Sequence, residues 1–485
     1  MLTLNSKIMK INYINILLSG ALLLSAVSCK KALDESNVNP NASERAQPEY
    51  LLTGAIKASS DTYWGTTNNM NSSLLFVQHW AKIQYTDPDR YIFANSDFQE
   101  LWSTSYSKGI VNLNQIIKLA DAQSNTNYKG VALVLRSWIF TLLTDAYGDV
   151  PYSQAGDIDK YLLPKYDKQR DVYLGVLADL TTAQAALDPA GKAINGDIIY
   201  SNSILSWKKF ANSLRLRVAV RIADREPELA RQTIAAIQAE GSGYISSNAE
   251  TAKLTYQSSP NQNPISNLFD TRDDYRVSKT IVDQLASTND PRLPVFVSKA
   301  AATGLYTGVP NGLLTGDAAA LGLTRTSKPG AYFLTPTAPA VIISYAEVLF
   351  DRAEAAARGF ITEDAATLYG QAIEASLLQY GVSTADITTY KQSAAATYDA
   401  SNYKKSIGNQ KWIALFGQGL EAFAEWRRLD YPILTPAAAG SLSGKIPVRF
   451  IYPGTEQSLN AISYKAAVAS QGADALTTKL WFDLN

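Results

Sequence analysis

Two kinds of side chain in this sequence have the chemistry to hold or transform a small molecule. The first is one histidine with scattered carboxylate pairs. His79 lies in the run Phe76-Val77-Gln78-His79-Trp80, without HxxxH or HExxH spacing. One His and one Cys in 485 residues exclude a zinc site of the Cys/His kind, and a Ser-His-Asp or Cys-His mechanism has to run through His79 alone. Flanked by Val and Trp, that ring is expected to be packed and hydrogen-bonded. The pairs Asp87/Asp89, Asp273/Asp274 and Glu421/Glu425 have the type needed for glycoside hydrolysis, in which two acids stand roughly 5–10 Å apart and leave no spacing signature. Surface charge or helix salt bridging explains them more simply. No GxSxG, GxxxxGK[ST] or helix-opening GxGxxG occurs. Asn195-Gly196-Asp197 and residues 37–41 lack the alternating ligands of a calcium loop, so neither a metal nor a cofactor is expected.

The second kind is aromatic. The chain has 27 Tyr, 8 Trp and 14 Phe, and Trp138, Trp207, Trp412 and Trp426 fall on apolar helix faces, which reads as core. Six others sit in polar, loop-like surroundings: Trp64 in YWGTTNN, Tyr85 and Tyr91 at the ends of YTDPDRY, Tyr275 in RDDYR, Tyr306 in GLYTG and Tyr332 in GAYF. An aromatic face matches the C–H face of a sugar ring while neighbouring amides and charges bond the hydroxyls. These six are the candidate ligand-binding residues. Arg215, Arg217, Arg427 and Arg428 lie on otherwise apolar helices and are expected to find carboxylate or carbonyl partners within the scaffold.

The elements that must position them are helical and paired. Apolar residues recur three and four apart over 127–146, paired with 167–187, over 206–224, paired with 226–239, and over 345–359, paired with 363–381. Residues 404–429 read as one further long helix or a pair. The run Tyr147-Gly148-Asp149-Val150-Pro151 stops the first of these, with Gly for a positive φ and Pro forbidding continuation. Small residues and aromatics fall where tetratricopeptide (TPR) hairpins carry them, although the spacing between pairs is irregular. Three excursions, 244–276, 299–339 and 432–460, are rich in Gly, Pro, Ser, Thr and Asn, as binding loops commonly are. The expected fold is mainly all-α: a TPR-like hairpin scaffold with long irregular insertions. With Lys+Arg and Asp+Glu both at 44, no basic surplus points to nucleic acid.

The first thirty residues carry a different signal. Lys7 and Lys10 precede an apolar stretch at 16–27 that ends in small residues, as in a secretory signal. Met9 is an alternative start. The only cysteine follows at once, in Ala26-Val27-Ser28-Cys29, similar to a bacterial lipobox with Ala26 in place of the usual Leu. The expected organisation is a signal peptide over 1–28, a polar tether over 29–43 acylated at Cys29 with chains such as palmitate, and one binding domain over 44–485. No later stretch reads as apolar enough to span a membrane.

The run Leu143-Thr144-Asp145-Ala146-Tyr147-Gly148-Asp149-Val150-Pro151-Tyr152-Ser153-Gln154-Ala155 resembles a stretch of the SusD/RagB-like outer-membrane lipoproteins. Further similarity follows in the family's order at 207–217, 289–293, 345–348, 410–412, 425–428, 446–449, 452–453 and 479–483. The resemblance implies a TPR-containing helical fold, a lipid anchor on the outer membrane facing the cell exterior, and partnership with a SusC-like TonB-dependent transporter. Over that transporter such a protein sits as a lid, capturing an oligosaccharide or other nutrient without enzymatic turnover. Lys30 and Lys31 directly after the cysteine depart from the acidic residues often found there. The alternatives are a surface polysaccharide hydrolase and a peptide-binding TPR-like lipoprotein.

Overall fold

Short polar side chains set the helix starts. Ser203 and Ser344 each precede a helix, and their hydroxyls accept the backbone N–H of Ser206 (3.4 Å) and Glu347 (3.1 Å), satisfying donors that the first turn leaves open. The computed structural model describes residues 46–484, so the signal and tether assigned to 1–43, with Cys29, lie outside the described residues. The principal helices are α1 (Pro48–Tyr63), α2 (Val111–Gln123), α3 (Thr126–Tyr147), α4 (Gln169–Ala186), α5 (Ile204–Ile222), α6 (Pro227–Glu240), α7 (Tyr345–Ala357), α8 (Ala365–Gln379), α9 (Tyr403–Ala414) and α10 (Gly419–Leu429). The pairs read from periodicity pack as pairs: α3 on α4, α5 on α6, α7 on α8. Residues 404–429 are two helices, broken where Gly417 takes φ +90°.

α3 is long and apolar enough to cross a membrane by length and composition, contrary to the reading from sequence, but 94% of its most apolar window is buried inside the fold. Its stop is the expected one. Gly148 takes φ +90°, and a Cβ there would stand 2.1 Å from Gln471 Oε1 and 2.9 Å from Leu480 Cδ2, so the site requires glycine for both conformation and space.

A buried ion network ties these helices together. Arg217 on α5 pairs with Glu347 on α7 (2.5 Å), and Arg221 pairs with Asp145 on α3 (2.5 Å). Arg428 on α10 holds Glu354 on α7 (2.5 Å) and Glu425 (2.6 Å), while Lys411 on α9 holds Asp351 and Glu425. Arg427 instead donates to three carbonyls, those of Phe423 (2.9 Å), Val448 (2.9 Å) and Asp145 (2.7 Å). Arg215 reaches the side chain of Asn212 at 3.3 Å. Glu421 and Glu425 are therefore interior partners of arginine. Desolvated charges are tolerated when each is paired and hydrogen-bonded.

Strands are few. β1 (Trp80–Lys82), β2 (Ala252–Thr255), β3 (Tyr275–Val277) and β4 (Pro339–Ile343) form two antiparallel ribbons, β1 with β3 and β2 with β4. In the first, Trp80 lies opposite Val277 and Lys82 opposite Tyr275. Between α1 and β1, Thr66–Ser73 winds as a π-helix, a form that recurs at functional sites.

Candidate functional site

The loop after β1 is where the three excursions meet. Asp89, fully buried, accepts the N–H groups of Lys82 (3.1 Å), Asn311 Nδ2 (2.7 Å) and Gly312 (3.0 Å). Burial pushes its carboxyl up to about 6 against those donors. Thr86 bonds Thr315 through their hydroxyls (3.0 Å), Arg90 Nε donates to the Ala439 carbonyl (3.1 Å), and Ser441 N–H donates to the Arg90 carbonyl (2.9 Å). Residues from 299–339 and from 432–460 thus clamp this loop. The excursion 244–276 joins it through β3 and the side chains of Arg272 and Asp274.

Tyr85 stands at the exposed end of that clamp. Its backbone takes φ +51°, an uncommon conformation for a bulky residue that persists only where the surroundings impose it. The ring is 67% exposed. The Arg272 guanidinium lies 5.3 Å from the ring centroid and is fixed by two hydrogen bonds to Asp274, Nε to Oδ1 at 3.1 Å and Nη2 to Oδ2 at 2.9 Å. Lys82 pairs with the same carboxylate and lies 3.9 Å over the Tyr275 ring. Burial alone would raise the Asp274 carboxyl, yet the hydrogen bonds from Arg272 and Lys82 hold it below the usual carboxylate range.

Behind this group, the Tyr275 hydroxyl donates to Asn71 Oδ1 on the π-helix. Asn71 is half-buried, whereas its neighbours Asn68 and Asn69 are fully buried and serve the fold. Asn68 Oδ1 accepts from the Leu101 N–H (3.3 Å), and Asn69 clamps Gly417 and Gly419 at 3.1 and 2.8 Å.

Of the six aromatics chosen from sequence, three are core rings and not stacking platforms. Trp64, Tyr91 and Tyr275 are 3%, 2% and 2% exposed. Trp64 Nε1 donates to the Val341 carbonyl at 3.1 Å, and Tyr91 Oη accepts the Ala437 N–H at 3.1 Å. Tyr275 packs between Trp80 and Phe269. Polar neighbours in sequence gave no sign of these distant partners. Tyr306 and Tyr332 are half-buried, the first near Lys299 (5.6 Å from its ring centroid) and the second edge-on to Phe333 and Tyr380. Tyr85 and Tyr275 share the Arg272–Asp274–Lys82 cluster; Trp64 and Tyr332 are linked through Phe333, whose ring stands with Trp64 around Gly417. Arg272 and Asn71 were missed as site residues, although the runs RDDYR and TTNNMNSS carry them.

His79 is a packed ring. Its Nε2 lies 3.0 Å from the Trp412 carbonyl, and Trp412 and Phe416 flank it at 5.1 and 5.3 Å. Among the described residues, no group of three or more His, Cys, Asp or Glu side chains is arranged to hold a metal ion.

Over residues 40–453 the chain matches a SusD-like family model described as starch-binding and associating with the outer membrane. A solved chitin-binding protein is 30% identical, with a TM-score of 0.83 over 90% of this chain and 100% of its own. A chitin-binding SusD homolog from Flavobacterium johnsoniae shares the fold at 24% identity, TM-score 0.80, over 90% of this chain and 99% of its own. So does a SusD homolog from Bacteroides uniformis, at 24% identity and TM-score 0.81 over 90% and 100%. No curated protein sequence matches.

Proposed function

Because the chain belongs to the SusD-like family of starch-binding, outer-membrane-associated proteins, we propose that it captures a glycan at the cell surface and passes it to a SusC-like TonB-dependent transporter. The observation that carries the reading is Tyr85: an exposed ring on an imposed backbone, beside a guanidinium locked by Asp274. A sugar stacked on Tyr85 would present its hydroxyls to Arg272, with Asn71 behind it on the π-helix; Tyr306 and Tyr332, both half-buried, are further candidate contacts. Each stacking contact contributes on the order of 1 kcal/mol beyond area burial, and so modest an affinity suits a protein that must release its cargo. The chitin-binding relative at 30% identity makes chitin oligosaccharides the first ligands to test, followed by starch.

Binding rather than hydrolysis is supported by the commitments of the candidate acids. Asp89 is sealed by three N–H donors, Asp274 by two cations, and Glu425 by Lys411 and Arg428. Affinity electrophoresis through gels containing each polysaccharide should show retardation without new reducing ends, and turnover would exclude this reading. We place the anchor at Cys29, ahead of a single binding domain over 44–485. Cys29→Ala should move the protein to the soluble fraction, and its retention in washed membranes lacking the transporter would refute the anchor. A transporter partner should co-purify from solubilised membranes, since a stable lid needs an interface above about 1,000 Å².

A further inference from the structure

A cleft opens between the start of α4, the end of α5 and the C-terminal segment. It has a volume of about 640 Å³ and is lined by Lys168, Arg170, Arg225, Lys479, Trp481 and Asp483, among others. Its floor is rigid. The Gln471 side chain accepts from the Asp149 N–H (2.9 Å) and donates to the Tyr147 carbonyl (3.1 Å) and Tyr452 Oη (2.7 Å), while Asp149 Oδ1 accepts the Gln169 N–H at the start of α4 (2.8 Å).

The charge is unbalanced in a chain whose net formal charge is zero. Arg170 is shared with Glu226 (2.5 Å) and Lys479 with Asp483 (3.6 Å). Lys168 and Arg225 make no ion pair among the described residues. Arg225 instead donates to the Trp481 carbonyl (2.7 Å), and its guanidinium lies 5.9 Å from that indole. Burial pushes the carboxyls of Asp149 and Asp483, the two acids of the wall, above their ordinary range. Asp483 is almost fully buried, with its Oδ1 turned to Lys479. An aromatic wall beside two cations that no carboxylate pairs with among the described residues forms a complementary set.

We propose that this cleft is a second ligand site, taking an acidic sugar: a ring against Trp481 and its anionic group to Lys168 and Arg225. The site is independent of the Tyr85 surface. The test is calorimetric titration of the full mature chain with a galacturonic-acid oligosaccharide, a sulfated galactan oligosaccharide and a neutral galactose oligosaccharide at low salt. Binding of either acidic probe, with the neutral one at least tenfold weaker, supports the site, and which acid binds identifies the anion. Lys168→Gln, which removes charge without removing a contact, should weaken that binding about three- to tenfold. Lys168→Gln with Arg225→Gln should weaken it further, and Tyr85→Ala should leave it unchanged. Failure of both acidic probes to bind, acidic and neutral probes binding equally, or loss with Tyr85→Ala but not with Lys168→Gln would overturn the assignment. That result would leave the Tyr85 reading standing.

Discussion

Tyr275 donates its hydroxyl to Asn71, joining one end of a two-stranded ribbon to a π-helix 204 residues earlier in the chain. This contact sets the depth of the surface on which Tyr85 and Arg272 stand. Tyr275→Phe keeps the ring and removes the bond, so the loss of stability should be about 1 kcal/mol. A double-mutant cycle with Asn71→Ala, measured by denaturant unfolding, should return a coupling of that size. Zero coupling would contradict the role assigned to the pair.

The rings separate by consequence. Trp64→Ala empties a fully packed site and should cost about 3–5 kcal/mol, whereas Tyr85→Ala removes an exposed ring and should change stability by no more than about 0.5 kcal/mol. Thermal and chemical unfolding of the two variants measures both. Equal destabilisation would show that Tyr85 belongs to the core.

The single histidine permits a clean pH experiment. Burial pushes His79 down from 6.5 to about 3, so unfolding takes up a proton anywhere between those values. The stability it contributes is whole above pH 6.5 and is lost as pH falls toward 3, at about 1.4 kcal/mol per pH unit. From pH 6.5 to 5 the stability advantage of wild type over His79→Gln should shrink by roughly 2 kcal/mol, with carboxylate titrations cancelling in the difference. A difference independent of pH would mean that the ring is solvated.

The ion network makes a prediction of its own. Arg428→Met leaves Glu354 and Glu425 buried with one partner lost, and should cost about 3–5 kcal/mol in unfolding free energy. A cost below about 1 kcal/mol would mean that water enters the network.

Helix pairing was readable because it is local: an apolar repeat and a Gly-x-x-Pro stop are contained in a few turns. The same holds for the placement of Arg217 and Arg428, whose apolar surroundings demanded partners. Burial of the loop aromatics was not readable. Trp64 finds Val341 277 residues away, and Tyr91 finds Ala437 346 residues away. Local polarity reports neither distance. Glu421 passed for surface charge because its cations, Arg217 and Arg221, lie on α5; Glu425 makes the helix salt bridge that its spacing allowed, to Arg428 on the same helix, and reaches Lys411 on α9 as well. The docking of the 299–339 excursion on the 84–91 loop depends on Asp89, whose three donors come from β1 and from 311–312, and nothing in YTDPDRY marks it as a hub.

The central claim is that a glycan is held, unhydrolysed, on the Tyr85 surface. The most direct measurement is titration calorimetry of Tyr85→Ala with Arg272→Ala against wild type, using the tightest binder among chitin and starch oligosaccharides. At on the order of 1 kcal/mol for each contact removed, the double variant should bind roughly ten- to a hundredfold more weakly while melting within a few degrees of wild type. Wild-type affinity in a folded double variant would contradict the claim.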